Sequence, residues 1–218
     1  MLTDYYRKRA REYDTLYATA AWQSELPVLH DWLMERVCGK AILEVAAGTG
    51  YWTAVASPVA TAITATDISP EMLAIAAARN LGTHVALVQA DCWSLPHFSR
   101  TFEVGMAHLW WSHVRKQDRS RFLYHFASRL REHAATLLMI DQNHVKDFGM
   151  PISRQDEAGN SYQTRWLDNG ERFDVVKNYP DEEELQCSVG QACEDVEVLQ
   201  LTHFWALRGT FRPVACSE

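Results

Sequence analysis

Residues 42–53, Ile-Leu-Glu-Val-Ala-Ala-Gly-Thr-Gly-Tyr-Trp-Thr, constrain this chain more than any other stretch. A hydrophobic run breaks into small residues, and helical character resumes at Tyr51. This is the pattern of a buried strand that turns into a helix through a tight loop. Small side chains in such a loop let a ligand approach the backbone closely. The N–H groups of the loop and helix start point at that ligand and favour negative charge there.

The chain around this stretch alternates. Short apolar runs at 41–46, 62–67, 85–90, 102–108 and 134–141 read as strands, and the segments at 51–57, 70–80 and 118–131 read as helices. Strands alternating with helices predict a parallel sheet covered on both faces. The 70–80 segment carries its own punctuation: Ser69 to cap, Pro70 at the first position, Glu71 for the dipole, and Gly82 beyond the end. Upstream, Tyr6, Ala10, Tyr13 and Tyr17 share a helical face, and a second helix is expected over about 25–37 with Leu26, Leu29, Leu33 and Val37 inward. Downstream, YQTRWL and RFDVVKN flank a turn at Asn169-Gly170 and predict a hairpin inserted after the fifth strand. A helix at about 180–192 and two closing strands, 195–201 and 204–211, complete one α/β domain over 1–218. Within it the expected parts are a helical cap (1–38), a binding core (39–145), the hairpin region (146–180) and the closing elements (181–218).

Charge and cysteine usage narrow the function classes. A net charge of −7 gives no bulk attraction to nucleic-acid phosphates. No apolar run approaches the roughly 20 residues of a membrane span, and no apolar region follows the charged first residues as a secretory signal requires. The five cysteines are odd in number and lack a C-x-x-C pair. Reduced thiols in a cytoplasmic protein are therefore expected rather than a disulfide framework. The nine histidines show no metal-ligand spacing, so no metal is expected.

A dinucleotide fingerprint requires G-x-G-x-x-G. Counting from Gly48, the last glycine falls on Thr53; counting from Ala46, both end positions fail. An NAD(P)-dependent oxidoreductase is thereby disfavoured but remains an alternative. Two carboxylates follow at strand ends. Asp67 closes the second strand, where it can accept both hydroxyls of a ribose. Asp91 closes the third, beside Cys92 and Trp93, which suit an adenine amino group and ring, with Ile68 and Met72 as further apolar wall. A single Asp after a strand is usually a cap or turn residue. The ordered series Glu44, Gly48, Gly50, Asp67, Asp91 on three successive strand ends is much harder to obtain by accident.

The motifs EVAAGTGYWT, TATDISPEML and QADCWSLP resemble the first three motifs of class I S-adenosylmethionine (SAM)-dependent methyltransferases, over about residues 41–141. WWSHV at 110–114 and GNSYQTRWL at 159–167 are similar to a bacterial small-molecule subgroup. The resemblance implies a Rossmann-like, seven-stranded, mostly parallel sheet in the order 3-2-1-4-5-7-6 with strand 7 antiparallel. It implies SAM as cofactor and in-line methyl transfer to a small-molecule acceptor. Glu44 would fix the methionine amino end, and Ala46, Gly48 and Gly50 would line the methionine portion, with Trp52 following. Asp67 would hold the ribose, and Asp91 and Cys92 would meet the adenine. Ala46 departs from the glycine common at its position and leaves less room.

The loop after strand four would face the transferred methyl. His108 and His113 are the candidate bases, His108 also touching the cofactor. Trp110 and Trp111 are candidate walls for the acceptor or the sulfonium. Tyr6, Arg9 and Tyr13 of the N-terminal segment would close over the cofactor or acceptor, and Gln142 and Asn143 would orient the acceptor. A protein that binds SAM without catalysis is the second alternative.

Overall fold

The apolar runs line up as one seven-stranded sheet in the computed structural model, which describes residues 10–132, 134–167 and 170–213. Strand β1 (Ala41–Glu44) lies in the middle, parallel to β2 (Ala62–Asp67) and β4 (Val104–His108). Beyond β2 runs β3 (Val85–Gln89), and beyond β4 runs β5 (Thr136–Gln142), both parallel to their neighbours. Leaving out the short inserted strands β6 (Arg154–Gln155), β7 (Ser161–Trp166) and β8 (Arg172–Val176), the remaining two are β9 (Cys193–Gln200) and β10 (Phe204–Phe211). Strand β10 pairs antiparallel with β5 and with β9. The order β3-β2-β1-β4-β5-β10-β9 is the expected 3-2-1-4-5-7-6.

Alternation along the central strands feeds two apolar layers. Ile42, Val104 and Met106 face one layer, with Leu29 and Leu33 of α1 (Leu26–Val37) and Trp52 of α2 (Tyr51–Ala56). Leu43, Ala107 and Leu137 face the other, with Phe122 and Phe126 of α4 (Arg119–Ala127) and Leu185 of α5 (Glu182–Gly190). Helix α3 (Pro70–Ala77) is capped as expected: the Ser69 hydroxyl accepts from the Met72 N–H at 3.3 Å.

Three expectations need correction. The N-terminal segment is a 3-10 helix, Ala10–Ala18, and Tyr6 and Arg9 lie outside the described residues. Strand β1 stops at Glu44 rather than residue 46, because Ala46 adopts a φ of 52° and cannot continue a strand. The hairpin is two strands of a three-stranded sheet: β6 pairs antiparallel with β7, and two residues are too few to leave a periodic signal. Residues Asp168 and Asn169 of the expected turn are outside the described residues.

Candidate active site

The loop after β1 takes three left-handed residues in alternation: Ala46 (φ 52°), Gly48 (58°) and Gly50 (74°). Glycine is required at 50 for a second reason. A Cβ there would lie 2.8 Å from the Ala76 Cβ, so the loop can press against α3 only without a side chain. At Gly48 a Cβ meets nothing within 4 Å, and this residue borders a cavity. Ala46 pays the left-handed strain of roughly 1–2 kcal/mol that glycine would avoid.

Asp67, the last residue of β2, ties this loop in place. Its Oδ2 accepts the Gly48 N–H at 2.8 Å, and its Oδ1 accepts the Ser69 N–H at 2.8 Å. Burial pushes its pKa up, and the backbone hydrogen bonds from Ser69 and Gly48 pull against that. The carboxylate is thus held by backbone donors, and each oxygen keeps acceptor capacity.

Asp67 borders a cavity of about 270 Å³ at the carboxyl ends of β1, β2 and β3. The same wall carries Ala46, Gly48, Ile68 and Met72 from the first two loops and Asp91, Cys92 and Trp93 from the third. Asp91 also turns its own loop, accepting the Trp93 N–H at 2.9 Å. Burial pushes the Cys92 thiol up, so it stays protonated and acts as a small apolar wall. Trp110, expected on the acceptor side, borders this cavity, edge-on to Trp93 at 6.5 Å. No Lys or Arg stands among the described residues that line it.

Several expected residues lie off this wall. Glu44 is buried behind the loop, accepts the Thr53 hydroxyl at 2.6 Å, and has its pKa pushed up to about 8 by burial. Gly50 faces α3, as above. Trp52 packs in the core against His108 at 5.3 Å. His108 is itself buried beside it, does not border this cavity, and has its pKa pushed down to about 3 by desolvation. Trp111 is fully buried between Phe122 and the Arg119 guanidinium, which sits 5.0 Å from its ring.

The N-terminal 3-10 helix straps over this end of the sheet. The Thr49 hydroxyl donates to Asp14 at 2.5 Å, Arg79 donates to the Thr49 carbonyl at 2.6 Å, and Arg79 also pairs with Asp14. Tyr17 stacks on Tyr51 at 3.5 Å. The strap brings Tyr13 to the cavity wall.

A second cavity, about 290 Å³, adjoins the first, and Tyr13, Leu109 and His113 line both. Leu109 has a φ of 51°, another strained residue at this junction. His113 follows in a 3-10 turn, Trp111–His113, and its Nδ1 lies 2.6 Å from the Val176 carbonyl. A carbonyl only accepts, so Nδ1 carries the proton and Nε2 the lone pair. Burial, then Lys177 and Arg165, hold the His113 pKa well below its usual value. Gln142 and Asn143 border the second cavity, but the Asn143 amide donates to the Leu201 and Phe204 carbonyls at 2.8 and 2.9 Å.

The rest of this wall was not anticipated. Gln163 and Arg165 come from β7 and Lys177 from just past β8. Ser161, Gln163 and Arg165 form the buried face of β7, so the signal was an alternation whose inward residues are polar. Lys177 donates to the Ser112 hydroxyl at 2.8 Å and to Asp141 at 3.2 Å. Asn178 and His113 clasp this small sheet to the chain after β4, through the Ser112 and Val176 carbonyls.

Residues 42–133 match the family model for a methyltransferase domain. A structure of DhpI in complex with S-adenosylhomocysteine (SAH) is 26% identical, with a TM-score of 0.78 over 98% of this chain and 95% of that one. A DhpI–SAM–HEP complex is also 26% identical, with a TM-score of 0.74 over 94% of each chain. A SAM-dependent methyltransferase from Mesorhizobium loti shares the fold at 18% identity, with a TM-score of 0.60 over 85% of this chain and 97% of that one. No curated protein matches the chain. With the sheet order, the loop after β1 and these likenesses together, the chain carries a methyltransferase domain in the fold of the class I SAM-dependent methyltransferases.

Proposed function

We propose that the first cavity holds SAM, that the second holds a small-molecule acceptor, and that the methyl group passes between them beside Tyr13, Leu109 and His113. The observation that carries this reading is the sharing of those three residues by two adjoining cavities. When bound, SAM supplies a methyl group activated by a positive sulfonium; the protein supplies binding and orientation. The donor-side residues fit it. Asp67 has acceptor capacity for ribose hydroxyls, Asp91 and Cys92 can meet an adenine edge, and Ile68, Met72 and Trp93 make an apolar slot. Ala46 and Gly48 leave the backbone open to the methionine portion. Glu44, behind the loop, would lose its proton to solvent when an ammonium group arrives in front of it.

His113 is the candidate base, needed only where the acceptor's nucleophile carries a proton. His108, on neither cavity, is a core residue in this reading. The DhpI–SAM–HEP complex, in which a relative holds SAM together with another ligand, supports a paired-site reading. The net charge of −7 argues against a nucleic-acid acceptor, and the free, exposed thiols of Cys38 and Cys187 suit a cytoplasmic protein.

Incubation with methyl-tritiated SAM and fractionated extract tests the acceptor class. Label in the dialysable fraction is expected. Label confined to protein or RNA would overturn the small-molecule assignment.

A further inference from the structure

Two histidines border the second cavity, and their settings are opposite. His113 lies beside Lys177 and Arg165, and with burial these hold its pKa well below the usual value. Such a ring gives up a proton readily and keeps one poorly. His203, in the turn between β9 and β10, lies instead against a carboxylate.

Glu25, the buried residue just before α1, takes both the backbone and the ring donor of His203. Its Oε2 accepts the His203 backbone N–H at 3.0 Å, and its Oε1 lies 2.9 Å from the His203 Nδ1. An ionised carboxylate only accepts, so Nδ1 carries the proton and Nε2 the lone pair. Among the described residues no hydrogen-bond partner takes Nε2. The turn is fixed from its other side as well, because the His203 carbonyl accepts the Asn143 N–H at 2.8 Å, just past β5. Phe148 packs edge-on against the ring at 4.9 Å.

A staple between Glu25 and this turn needs no histidine. The backbone N–H already reaches the carboxylate, and a lysine would add a second donor with no lone pair. Only an imidazole both completes the bond to Glu25 and leaves a proton acceptor on a cavity-bordering residue. A carboxylate on Nδ1 fixes the tautomer and stabilises the imidazolium that forms when Nε2 takes a proton.

We propose that His203, oriented by Glu25, is the general base of the second cavity and takes the proton of a hydroxyl, amine or thiol acceptor. This rests on the second cavity being the acceptor site, and it gives His203 the role for which His113 is the other candidate. In the step, the acceptor's oxygen, nitrogen or sulfur bonds to the methyl carbon as the carbon–sulfur bond breaks. That bonding pair stays on sulfur, leaving the neutral thioether of SAH. The acceptor's proton passes to Nε2, and the imidazolium later releases it to solvent. His203 is the catalytic residue, and Glu25, acting through it, is a positioning residue. The other titratable or charged groups on this wall are Tyr13, His113, Arg165, Lys177 and Tyr179.

The test follows tritiated methyl from SAM into the dialysable fraction of the extract as a function of pH. At saturating fraction the wild-type rate should rise with pH as an imidazole loses its proton. His203→Gln should lower that rate by about 10²-fold or more and abolish the rise, with the SAH Kd unmoved. Glu25→Gln should lower it by about tenfold or more, and Glu25→Asp should restore part. A staple with no proton role would instead lower stability and leave the pH rise in place. A second readout needs no activity. Long-range 1H–15N NMR of the wild type, above about pH 8 where imidazoles are neutral, should show His203 protonated at Nδ1 and bare at Nε2. The proposal is overturned if the proton sits on Nε2, if His203→Gln that still binds SAH keeps the wild-type pH profile, or if His113→Ala abolishes the rise and His203→Gln does not. The wild-type spectrum keeps the test decisive where a variant fails to fold. Label absent from the dialysable fraction while SAH still binds is a different result, and it removes the acceptor-site reading underneath together with this one.

Discussion

The cavity proposed for the donor and the one proposed for the acceptor are neighbours of similar size, yet they are built in opposite ways. Most of the donor wall comes from three consecutive strand ends, β1 to β3, and its Asp67 and Asp91 carboxylates are steadied by backbone N–H groups. The acceptor wall gathers residues from the strap, the end of β5 and the inserted sheet, and its Arg165 and Lys177 donate to neighbouring side chains. Backbone-anchored recognition suits a fixed ligand, because loop geometry alone sets it. Side-chain-anchored recognition on an inserted sheet can change without disturbing the donor half.

The comparison breaks most visibly at the residues the cavities share. If His113 is the base, His113→Ala should lower kcat by about 10²–10⁴-fold with the true acceptor while the Kd for SAH stays nearly constant. An unchanged kcat would make His113 wall alone. Next is Gly50→Val, which adds a clash with Ala76 to left-handed strain and should destabilise the fold by roughly 2–4 kcal/mol in urea titrations. Wild-type stability there would mean that the loop does not press on α3.

Asp67→Ala should weaken SAH binding by roughly 1–3 kcal/mol by calorimetry and leave the acceptor KM unaltered. A shift in KM instead would dissolve the division into two sites. Glu44 gives a pH signature on the donor side only. Its folded pKa of about 8 exceeds that of a free glutamate, so between the two the folded state holds a proton that the unfolded chain has released. Stability should therefore fall as pH rises from about 5 to 8, and Glu44→Gln should flatten the fall, read as a smaller loss of Tm across that range. Identical pH slopes in both proteins would contradict the buried, protonated state. Smallest, Asp14→Ala should free the strap from Thr49 and Arg79 and raise the SAH Kd by less than about 1 kcal/mol, with the half-exposed ion pair contributing little.

The same division explains what could be read in the sequence. The donor residues lie in three short motifs at strand ends, where local chemistry and chain order say nearly everything. The acceptor residues meet only through tertiary packing, so Arg165 and Lys177 gave no joint signal. Nearness to a strand end favoured His108, but the last residue of a fully buried strand points into the core, and the 3-10 turn beyond carries His113 out to both cavities. The adjacent pair Trp110 and Trp111 divides for the same reason: one turn sends the first to the cavity and the second into the core.

A crystal structure with SAH bound tests the account most directly. It should place both ribose hydroxyls on the Asp67 carboxylate, the adenine beside Asp91 and Cys92, and the sulfur toward Tyr13, Leu109 and His113. A nucleoside lodged against Arg165 and Lys177, or a ribose out of reach of Asp67, would contradict it.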